Sequence, residues 1–189
     1  MATGAGKSLC FQLPPLTAPP GSWTLVISPL VSLMQDQVSA LHQRRIPAGL
    51  LGSGATAALA ASLPQAAVGA YRVVYTTPEF VVHHIDELKL NSGRLVLLAV
   101  DEAHCISSWG QDFRPQYREL GRLRQALMHV PAMCVTATCT HEVREDIERS
   151  LGLRPGFVRV TGPMNRPNLK LVVRERKGPA ADLGPLFAA

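Results

Sequence analysis

Two short groups of residues in this chain have the types and spacing that phosphate chemistry requires. The first is the run Thr3-Gly4-Ala5-Gly6-Lys7-Ser8. Its glycines leave the backbone free to place consecutive N–H groups around phosphates, its lysine can neutralise the β and γ charges, and its serine offers a hydroxyl to Mg²⁺. A Gly-Lys-Ser triplet alone also suits an ordinary turn into a helix. The run therefore predicts a nucleotide-binding loop only if the rest of such a site is present.

The second group is Asp101-Glu102-Ala103-His104, which follows the apolar run at residues 96–100. Open α/β sheets bind their ligands at the carboxyl ends of strands, where these two acids would stand. We expect Asp101 to hold Mg²⁺, directly or through water, and Glu102 to polarise an attacking water. The alternative is a solvated loop, but a glycine-lysine loop, a hydrophobic strand and an acidic pair in this order favour a nucleoside triphosphatase site.

A third group, Thr136-Ala137-Thr138, follows another short apolar run. Hydroxyl side chains at a strand end can hydrogen-bond both a catalytic acid and a neighbouring loop, which suits a relay between two sites. Such a tripeptide is more often a strand end without chemistry. Its position after the acidic motif is therefore what makes it a candidate.

Short apolar runs alternate with helix-length stretches, and these are the elements that must position the three groups. Strands are predicted at residues 24–28, 72–76, 95–100, 132–136 and 157–160. Helices are predicted at residues 8–13, 30–45, 55–65, 79–90, 116–128 and 140–151. The alternation is typical of an α/β domain with a mostly parallel sheet and helices on both faces. The strand that should carry the phosphate loop would lie before Met1, so we expect it to be missing.

The composition is that of one globular domain with a basic end. Of the 189 residues, 47% are hydrophobic, yet the longest purely apolar run is far shorter than the ~20 residues of a membrane span. The net charge is +5, and residues 154–177 hold seven Lys or Arg against the single acid Glu175, which favours a polyanionic partner. Four cysteines without Cys-x-x-Cys spacing, and no charged hydrophobic leader, predict an intracellular protein with reduced, mostly buried thiols.

Taken together, the motifs resemble the ordered motif set of the RecQ DNA helicases. The matching segments cover essentially the whole chain and lie at residues 4–12, 28–38, 77–79, 101–107, 109–110, 112–115, 136–138 and 166–169. Residues 46–53 and 71–75 resemble the Werner syndrome helicase branch in particular. The resemblance implies a RecA-like P-loop NTPase fold.

The resemblance also implies an activity and a set of roles. The activity is that of a nuclear, ATP-driven and Mg²⁺-dependent motor that moves 3′ to 5′ on single-stranded DNA and unwinds forked DNA. The implied catalytic residues are Lys7, Asp101, Glu102 and His104. The implied nucleotide-binding residues are Thr3, Gly4, Ala5, Gly6, Lys7 and Ser8, with Ser8 and Asp101 on the metal. The implied DNA-binding residues are Ser28, Pro29, Leu30, Gln35, Thr77, Pro78, Trp109, Phe113 and Arg114. The implied coupling residues are Gln111, Thr136 and Thr138.

Trp109 and Phe113 belong to the aromatic-rich loop that, in the family, links DNA binding to hydrolysis. Aromatic residues of this size are more often core residues, but Ser107-Ser108 and Gln111-Asp112 around them favour a surface loop. There they could stack on bases at ~1–3 kcal/mol per base, with Arg114 adding charge to a phosphate or a ring. The family usually has His where this chain has Gln111, which should weaken the coupling, whereas Cys139 in place of Ala should change little.

The expected domain organisation is one motor domain of a larger machine. Residues 1–162 form the first motor domain, truncated at its N-terminus, and residues 163–189 begin the connection to an absent second motor domain as a partly disordered tail. In the family that second domain supplies arginines to the ATP site. Loss of such an arginine lowers phosphoryl-transfer rates by ~10³–10⁵. We therefore expect the chain alone to hydrolyse ATP poorly and not to unwind DNA.

Two other functions fit parts of the pattern. One is a catalytically inactive nucleic-acid-binding module that keeps the helicase fold, which Gln111 and the absent partner domain would favour. The other is a different P-loop ATPase, such as a transporter or partition protein, which the loop at residues 109–115 disfavours. DNA-stimulated ATPase activity separates the first of these from a helicase.

Overall fold

The computed structural model describes residue 4 and residues 6–52, 55–109, 112–162, 168–170, 172–173, 175–176 and 178. The strands are β1 Trp23–Ile27, β2 Ala48–Leu51, β3 Val73–Thr76, β4 Leu95–Val100 and β5 Ala132–Cys134. The helices are α1 Lys7–Gln12, α2 Pro14–Thr17, α3 Val31–Gln43, α4 Leu63–Ala67, α5 Pro78–His83, α6 Ile85–Leu90, α7 Pro115–Arg118, α8 Leu120–Ala126 and α9 His141–Ser150. Short 3₁₀ turns occupy Ser92–Arg94 and Ala103–Ile106.

The five strands form one parallel sheet in the order β2-β3-β1-β4-β5. Every residue of the central strand β1 is buried, because helices cover both faces of the sheet. Alternate side chains enter separate cores: Leu25 and Ile27 pack on one side, and Val26 packs on the other against Phe11 of α1 and Met34 of α3. The predicted α/β fold with helices on both faces is confirmed.

Four of the five predicted strands correspond to β1, β3, β4 and β5, but the prediction for residues 157–160 was wrong. This segment has no partner strand among the described residues, and Val158 and Val160 are 86% and 73% exposed. Arg159 instead reaches Glu148 of α9, with Nη2 2.7 Å from Oε1. An apolar, β-branched run becomes a strand only where a neighbouring strand satisfies its backbone groups.

The prediction of a helix at residues 55–65 was wrong except at its end, because α4 begins only at Leu63. The same segment explains why β2 was missed. The Leu50 N–H of β2 donates to the Leu59 carbonyl at 2.7 Å, and the Ala61 N–H donates to the Leu50 carbonyl at 3.0 Å. The alanine-rich backbone therefore forms a single turn, in which the Leu59 and Ala60 N–H groups donate to the Thr56 carbonyl, and then bonds sideways to the edge strand instead of continuing as a helix. Gly49 permits this approach, because a Cβ there would lie 2.6 Å from Ala61 Cβ.

Two predicted helices are each divided in two. The helix predicted at residues 79–90 breaks at His84. Its ring Nδ1 lies 2.7 Å from the Phe80 carbonyl oxygen, which in a continuous helix would accept from the His84 backbone N–H. The helix predicted at residues 116–128 divides at Glu119 into α7 and α8. The helices predicted at residues 8–13, 30–45 and 140–151 appear as α1, α3 and α9.

The four cysteines are free, but they are not mostly buried as predicted. Cys105 is buried, Cys10 and Cys134 are half-buried, and Cys139 is exposed. None of the helices that the structure describes has the length and apolar character needed to cross a membrane.

Candidate functional site

The parallel register aligns the carboxyl ends of four strands at one edge of the sheet. Ile27 of β1 lies opposite Thr76 of β3 and Val100 of β4, and Val100 lies opposite Cys134 of β5. The predicted site residues that directly follow these ends, or follow them by one residue, are Ser28, Thr77, Asp101 and Thr136. The fold thus gathers at one edge motifs that lie far apart along the chain.

A cavity of about 120 Å³ opens at this edge. Lys7 and Ser8 of α1, Ser28 after β1, and Asp101 and Glu102 after β4 line it together. Tyr75 of β3 and three residues of α3 complete its wall. The structure therefore joins the lysine-serine pair and the acidic pair, which the sequence predicts to act on one substrate, in a single cavity.

The phosphate-loop glycines adopt backbone conformations that other residues rarely adopt. Gly4 and Gly6 have φ angles of 79° and 81°, in the left-handed region where a Cβ is strained. Gly6 precedes α1, and its carbonyl accepts from the Leu9 N–H at 3.0 Å. The predicted nucleotide-binding residues Thr3 and Ala5 lie outside the described residues.

Asp101 is fixed to the sheet through its backbone, and its carboxylate is partly buried. Its N–H donates to the Ile27 carbonyl at 2.8 Å, and its carbonyl accepts from the Tyr117 hydroxyl at 3.1 Å. Burial raises the pKa of Asp101, while the hydrogen bond from the Glu102 N–H to Asp101 Oδ1, at 3.0 Å, and the charge of Lys7 oppose the shift. A bound cation would favour the ionised carboxylate that burial disfavours.

Glu102 has a strained backbone, with φ 46° and ψ 47° in the left-handed region. A residue with a Cβ adopts this conformation at a cost of about 1–3 kcal/mol, and such residues cluster at functional sites. The strain comes directly before the 3₁₀ turn Ala103–Ile106 and leaves the Glu102 side chain on the cavity. No local sequence signal predicts it.

His104 connects the acidic pair to the strand-end threonines. Its Nδ1 lies 2.8 Å from Thr136 Oγ1 and 3.2 Å from Glu102 Oε2, and its Nε2 lies 3.8 Å from Asp112 Oδ2. The Thr136 hydroxyl donates to the Thr138 carbonyl at 2.9 Å, so it accepts from a protonated His104 Nδ1. His104 thus contacts three segments that the sequence had marked separately.

The two aromatic residues of the loop after this turn are exposed. The Trp109 side chain is 79% exposed and that of Phe113 is 39% exposed, as their polar neighbours predict. Ser107, at the start of the loop, is buried, and its hydroxyl accepts from the Trp109 N–H at 3.3 Å. Gln111, the predicted coupling residue, lies outside the described residues.

Two arginines hold this loop against the rest of the domain. Arg114 Nη1 donates to the Pro29 carbonyl at 3.0 Å, which ties the loop to the segment after β1. The Arg118 guanidinium lies 5.4 Å from the centre of the Phe113 ring, and its Nη2 lies 3.6 Å from Asp146 Oδ2 of α9. The sequence did not single out Arg118, because nothing in its spacing relates it to α9.

The other residues with predicted DNA contacts differ in their exposure. Leu30 is 50% exposed, and Pro29 and Gln35 are half-buried. Pro78 is buried, and the Thr77 hydroxyl accepts from the Phe80 N–H at 3.3 Å as the cap of α5. The Ser28 side chain is buried and faces the cavity rather than the surface.

A polar network beside the cavity has no counterpart in the sequence predictions. Gln12 Nε2 of α1 donates to Gln37 Oε1 of α3 at 2.8 Å and to the Tyr75 hydroxyl of β3 at 2.9 Å. Burial raises the pKa of Tyr75 to about 12, so its hydroxyl stays protonated at neutral pH. The network joins α1 to α3. It could not be predicted from the sequence, because the three residues lie far apart along the chain.

Comparison with known proteins supports the same assignment. Residues 1–147 match the DEAD/DEAH box helicase family. Over 94% of its length the chain is 47% identical to the mouse bifunctional 3′-5′ exonuclease/ATP-dependent helicase WRN. Over 97% of its length it is 41% identical to the ATP-dependent DNA helicase RecQ of Pasteurella multocida. The chain spans 12% and 29% of the lengths of these two relatives.

Solved structures agree on the fold. The helicase MrfA bound to DNA and AMPPNP superposes with a TM-score of 0.61 at 22% identity, over 80% of this chain and 23% of that one. The Pyrococcus furiosus Hef helicase domain gives a TM-score of 0.56 at 20% identity, over 80% of this chain and 32% of that one. With the glycine-lysine loop and the acidic pair on one cavity, the chain therefore belongs to the DEAD/DEAH box helicase family, and it is similar to RecQ helicases along nearly its whole length.

Proposed function

We propose that this chain is the first motor domain of an ATP-dependent 3′–5′ DNA helicase of the RecQ type. Residues 1–162 are the motor domain, and residues 163–189 begin the connection to a second motor domain. The observation that carries the proposal is the common cavity of Lys7, Ser8, Asp101 and Glu102. The same four side chains have the charges and donor atoms that a magnesium-bound nucleoside triphosphate needs.

The residues around the cavity fit ATP and Mg²⁺. Hydroxyl and carboxylate oxygens suit Mg²⁺, and Ser8 and Asp101 supply one of each. Lys7 adds a positive charge for the phosphates. Gly4 and Gly6 leave room for the phosphates to approach the backbone, because the space beside Gly4 is open and a Cβ there would meet no atom within 4 Å. When bound, Mg²⁺ neutralises charge that develops on the phosphate oxygens.

Glu102 acts on the attacking water in this proposal. Its carboxylate lies on the cavity, next to Asp101 along the chain, and His104 Nδ1 lies 3.2 Å from Oε2. Glu102 holds and polarises the water, and His104 orients the Glu102 carboxylate. The bond between His104 and Thr136 fixes the imidazole, so the strand-end threonine positions the base indirectly.

In this proposal, single-stranded DNA binds at the aromatic loop, which contacts His104 from the side of Asp112. Trp109 and Phe113 offer exposed rings on which bases stack, and Arg114 adds positive charge. Leu30 and Gln35 extend the surface along α3. The loop contacts the hydrolytic site through His104 and Asp112, with Gln111, Thr136 and Thr138 as the other coupling residues. Forked DNA, the second motor domain and a nuclear location belong to the same proposal by family resemblance.

The test is DNA-stimulated ATP hydrolysis. The chain joined to its second motor domain should hydrolyse ATP faster when single-stranded DNA is added, and Trp109→Ala should reduce the stimulation without reducing basal hydrolysis. DNA binding with no hydrolysis under any condition would instead identify an inactive nucleic-acid-binding module. Hydrolysis that DNA never stimulates would contradict the helicase assignment.

A further inference from the structure

The Ser28 hydroxyl is buried and has no hydrogen-bond partner in the structure. The residue is 2% exposed, and its Oγ is among the buried side-chain oxygens that make no hydrogen bond among the described residues. Its backbone N–H is satisfied, because it donates to the Thr76 carbonyl at 3.0 Å. A buried hydroxyl that has lost water and gained no partner destabilises the fold, so this side chain calls for an explanation.

Position distinguishes Ser28 from the similar hydroxyls beside it. Thr24 and Thr76 also have buried, unpartnered Oγ1 atoms at the same sheet. Those two residues lie within β1 and β3 and are not part of the cavity wall, whereas Ser28 lines the cavity together with Lys7 and Asp101. The unsatisfied hydroxyl of Ser28 is therefore available to a ligand in that cavity.

The backbone places Ser28 beside the acidic end of the cavity. The Asp101 N–H donates to the carbonyl of Ile27, the residue directly before Ser28, at 2.8 Å. Both side chains therefore leave the sheet from adjacent strand ends. A hydroxyl can donate and accept, and Mg²⁺ in protein sites usually keeps several of its waters.

We propose that the Ser28 hydroxyl hydrogen-bonds a water of the hydrated Mg²⁺ that Asp101 holds in the nucleotide site. This inference rests on the proposed function. It moves the Ser28 side chain from the predicted DNA-binding surface to the nucleotide site, and it leaves the DNA contacts of that segment to exposed residues such as Leu30. Ser28 is then a positioning residue, because it contacts the hydration shell rather than the reacting phosphate.

The experiment is calorimetric titration of the chain with a non-hydrolysable ATP analogue, once with Mg²⁺ and once with a chelator. Ser28→Ala should weaken binding in Mg²⁺ roughly three- to tenfold, the effect of one lost hydrogen bond, and leave binding in the chelator unchanged. Thr76→Val is the matched control, since it removes a buried unpartnered hydroxyl away from the cavity, and its affinity should not change in either condition.

Stability separates this role from a structural one. Without nucleotide, Ser28→Ala should unfold at the same temperature as the unsubstituted chain or at a higher one, because the removed hydroxyl has no partner. Equal affinity of Ser28→Ala and Thr76→Val in Mg²⁺ would overturn the inference, and so would an equal loss with and without Mg²⁺. Lys7→Ala is the reference variant. If only Lys7→Ala binds the analogue more weakly, the inference about Ser28 fails and the proposed function stands. If the unsubstituted chain does not bind the analogue, both the inference and the proposed function fail.

Discussion

The strand-end cavity and the aromatic loop differ in how the fold holds them. Asp101 is fixed by ladder and side-chain bonds to β1 and α7, and Glu102 and His104 follow directly on it. The described part of the loop at residues 107–114 instead exposes its aromatic rings, and side chains hold it in place: Arg114 through Pro29, Arg118 through Phe113, and Asp112 at 3.8 Å from His104. Backbone bonds to the sheet position the first region, whereas mainly side-chain contacts position the second.

The two regions suit the two parts of the proposed function, ATP hydrolysis and DNA binding, and they can be tested separately. Hydrolysis requires groups held in one geometry, which the ends of buried parallel strands provide. In the proposed function the loop binds a moving strand of nucleic acid, which requires exposed rings. Substitutions in the cavity should therefore change turnover itself, whereas substitutions in the loop should change only how turnover responds to DNA.

The largest effect should come from the cavity. Lys7→Ala and Glu102→Gln should each lower ATP turnover by about 10²–10⁴-fold, because each removes a charge or base that acts in the transition state. Folding should survive, since both side chains are only partly buried. The measurement is ATP hydrolysis by the chain joined to its second motor domain, with circular dichroism to check the fold. Glu119→Gln, an exposed acid paired with Arg122, is the control, and normal ATP hydrolysis by either cavity variant would contradict the proposed site.

Trp109→Ala should affect the other region and leave the first unchanged. Loss of one stacking ring should weaken single-stranded DNA binding by ~1–3 kcal/mol, or about 5- to 150-fold. Basal hydrolysis and the unfolding temperature should not change, because the side chain is 79% exposed. Fluorescence anisotropy of a labelled oligonucleotide measures the binding. The contrasting variant is Trp23→Ala, which removes a fully buried ring and should unfold the domain; similar instability of both variants would show that Trp109 is a core residue.

Arg118→Ala should lower DNA affinity by a smaller amount than Trp109→Ala. The side chain contacts Phe113 and Asp146, so its loss should loosen the loop against α9. An exposed cation–π contact contributes ~0.5–1 kcal/mol. Because Arg118 acts on DNA through the position of Phe113, this energy sets an upper limit of about two- to fivefold on the loss of DNA affinity. Arg122→Ala removes the same charge from a surface ion pair one turn away. If both variants lose the same DNA affinity, net charge rather than loop position explains the effect.

Asp101→Asn tests the stability of the fold rather than turnover, and it should slightly stabilise the folded chain, whereas most substitutions destabilise a protein. Burial raises the pKa of Asp101, so ionisation at neutral pH destabilises the folded chain relative to the unfolded chain. The uncharged variant should therefore have a larger free energy of unfolding at pH 7. That gain should shrink as the pH falls through the folded pKa and should vanish below the ordinary pKa of 3.8. Urea denaturation across this range measures it, and a variant that is less stable at pH 7 would contradict the electrostatic argument.

Strands of the central sheet could be predicted because burial on both faces leaves an unmistakable apolar run, as in Leu95–Val100. The edge strand Ala48–Leu51 could not, because it has only four residues, two of them Ala and Gly, and its pairing depends on segments elsewhere in the chain. Residues 157–160 have a strand-like pattern without such a partner. In each case the error concerns hydrogen bonding between distant segments, which no local pattern records.

The amino-acid sequence alone was enough to indicate the chemistry proposed for this chain, because the glycine-lysine loop, the acidic pair and the strand-end threonines are local motifs of side chains with fixed chemical properties. Which of these side chains lie together in one cavity depends on the tertiary structure. The folded chain brings Lys7 and Asp101 to one cavity, holds the backbone of Glu102 in the left-handed region and places the Ser28 side chain inside rather than on the surface. Proximity between distant strand ends depends on how the whole sheet packs, and only the folded chain contains that information.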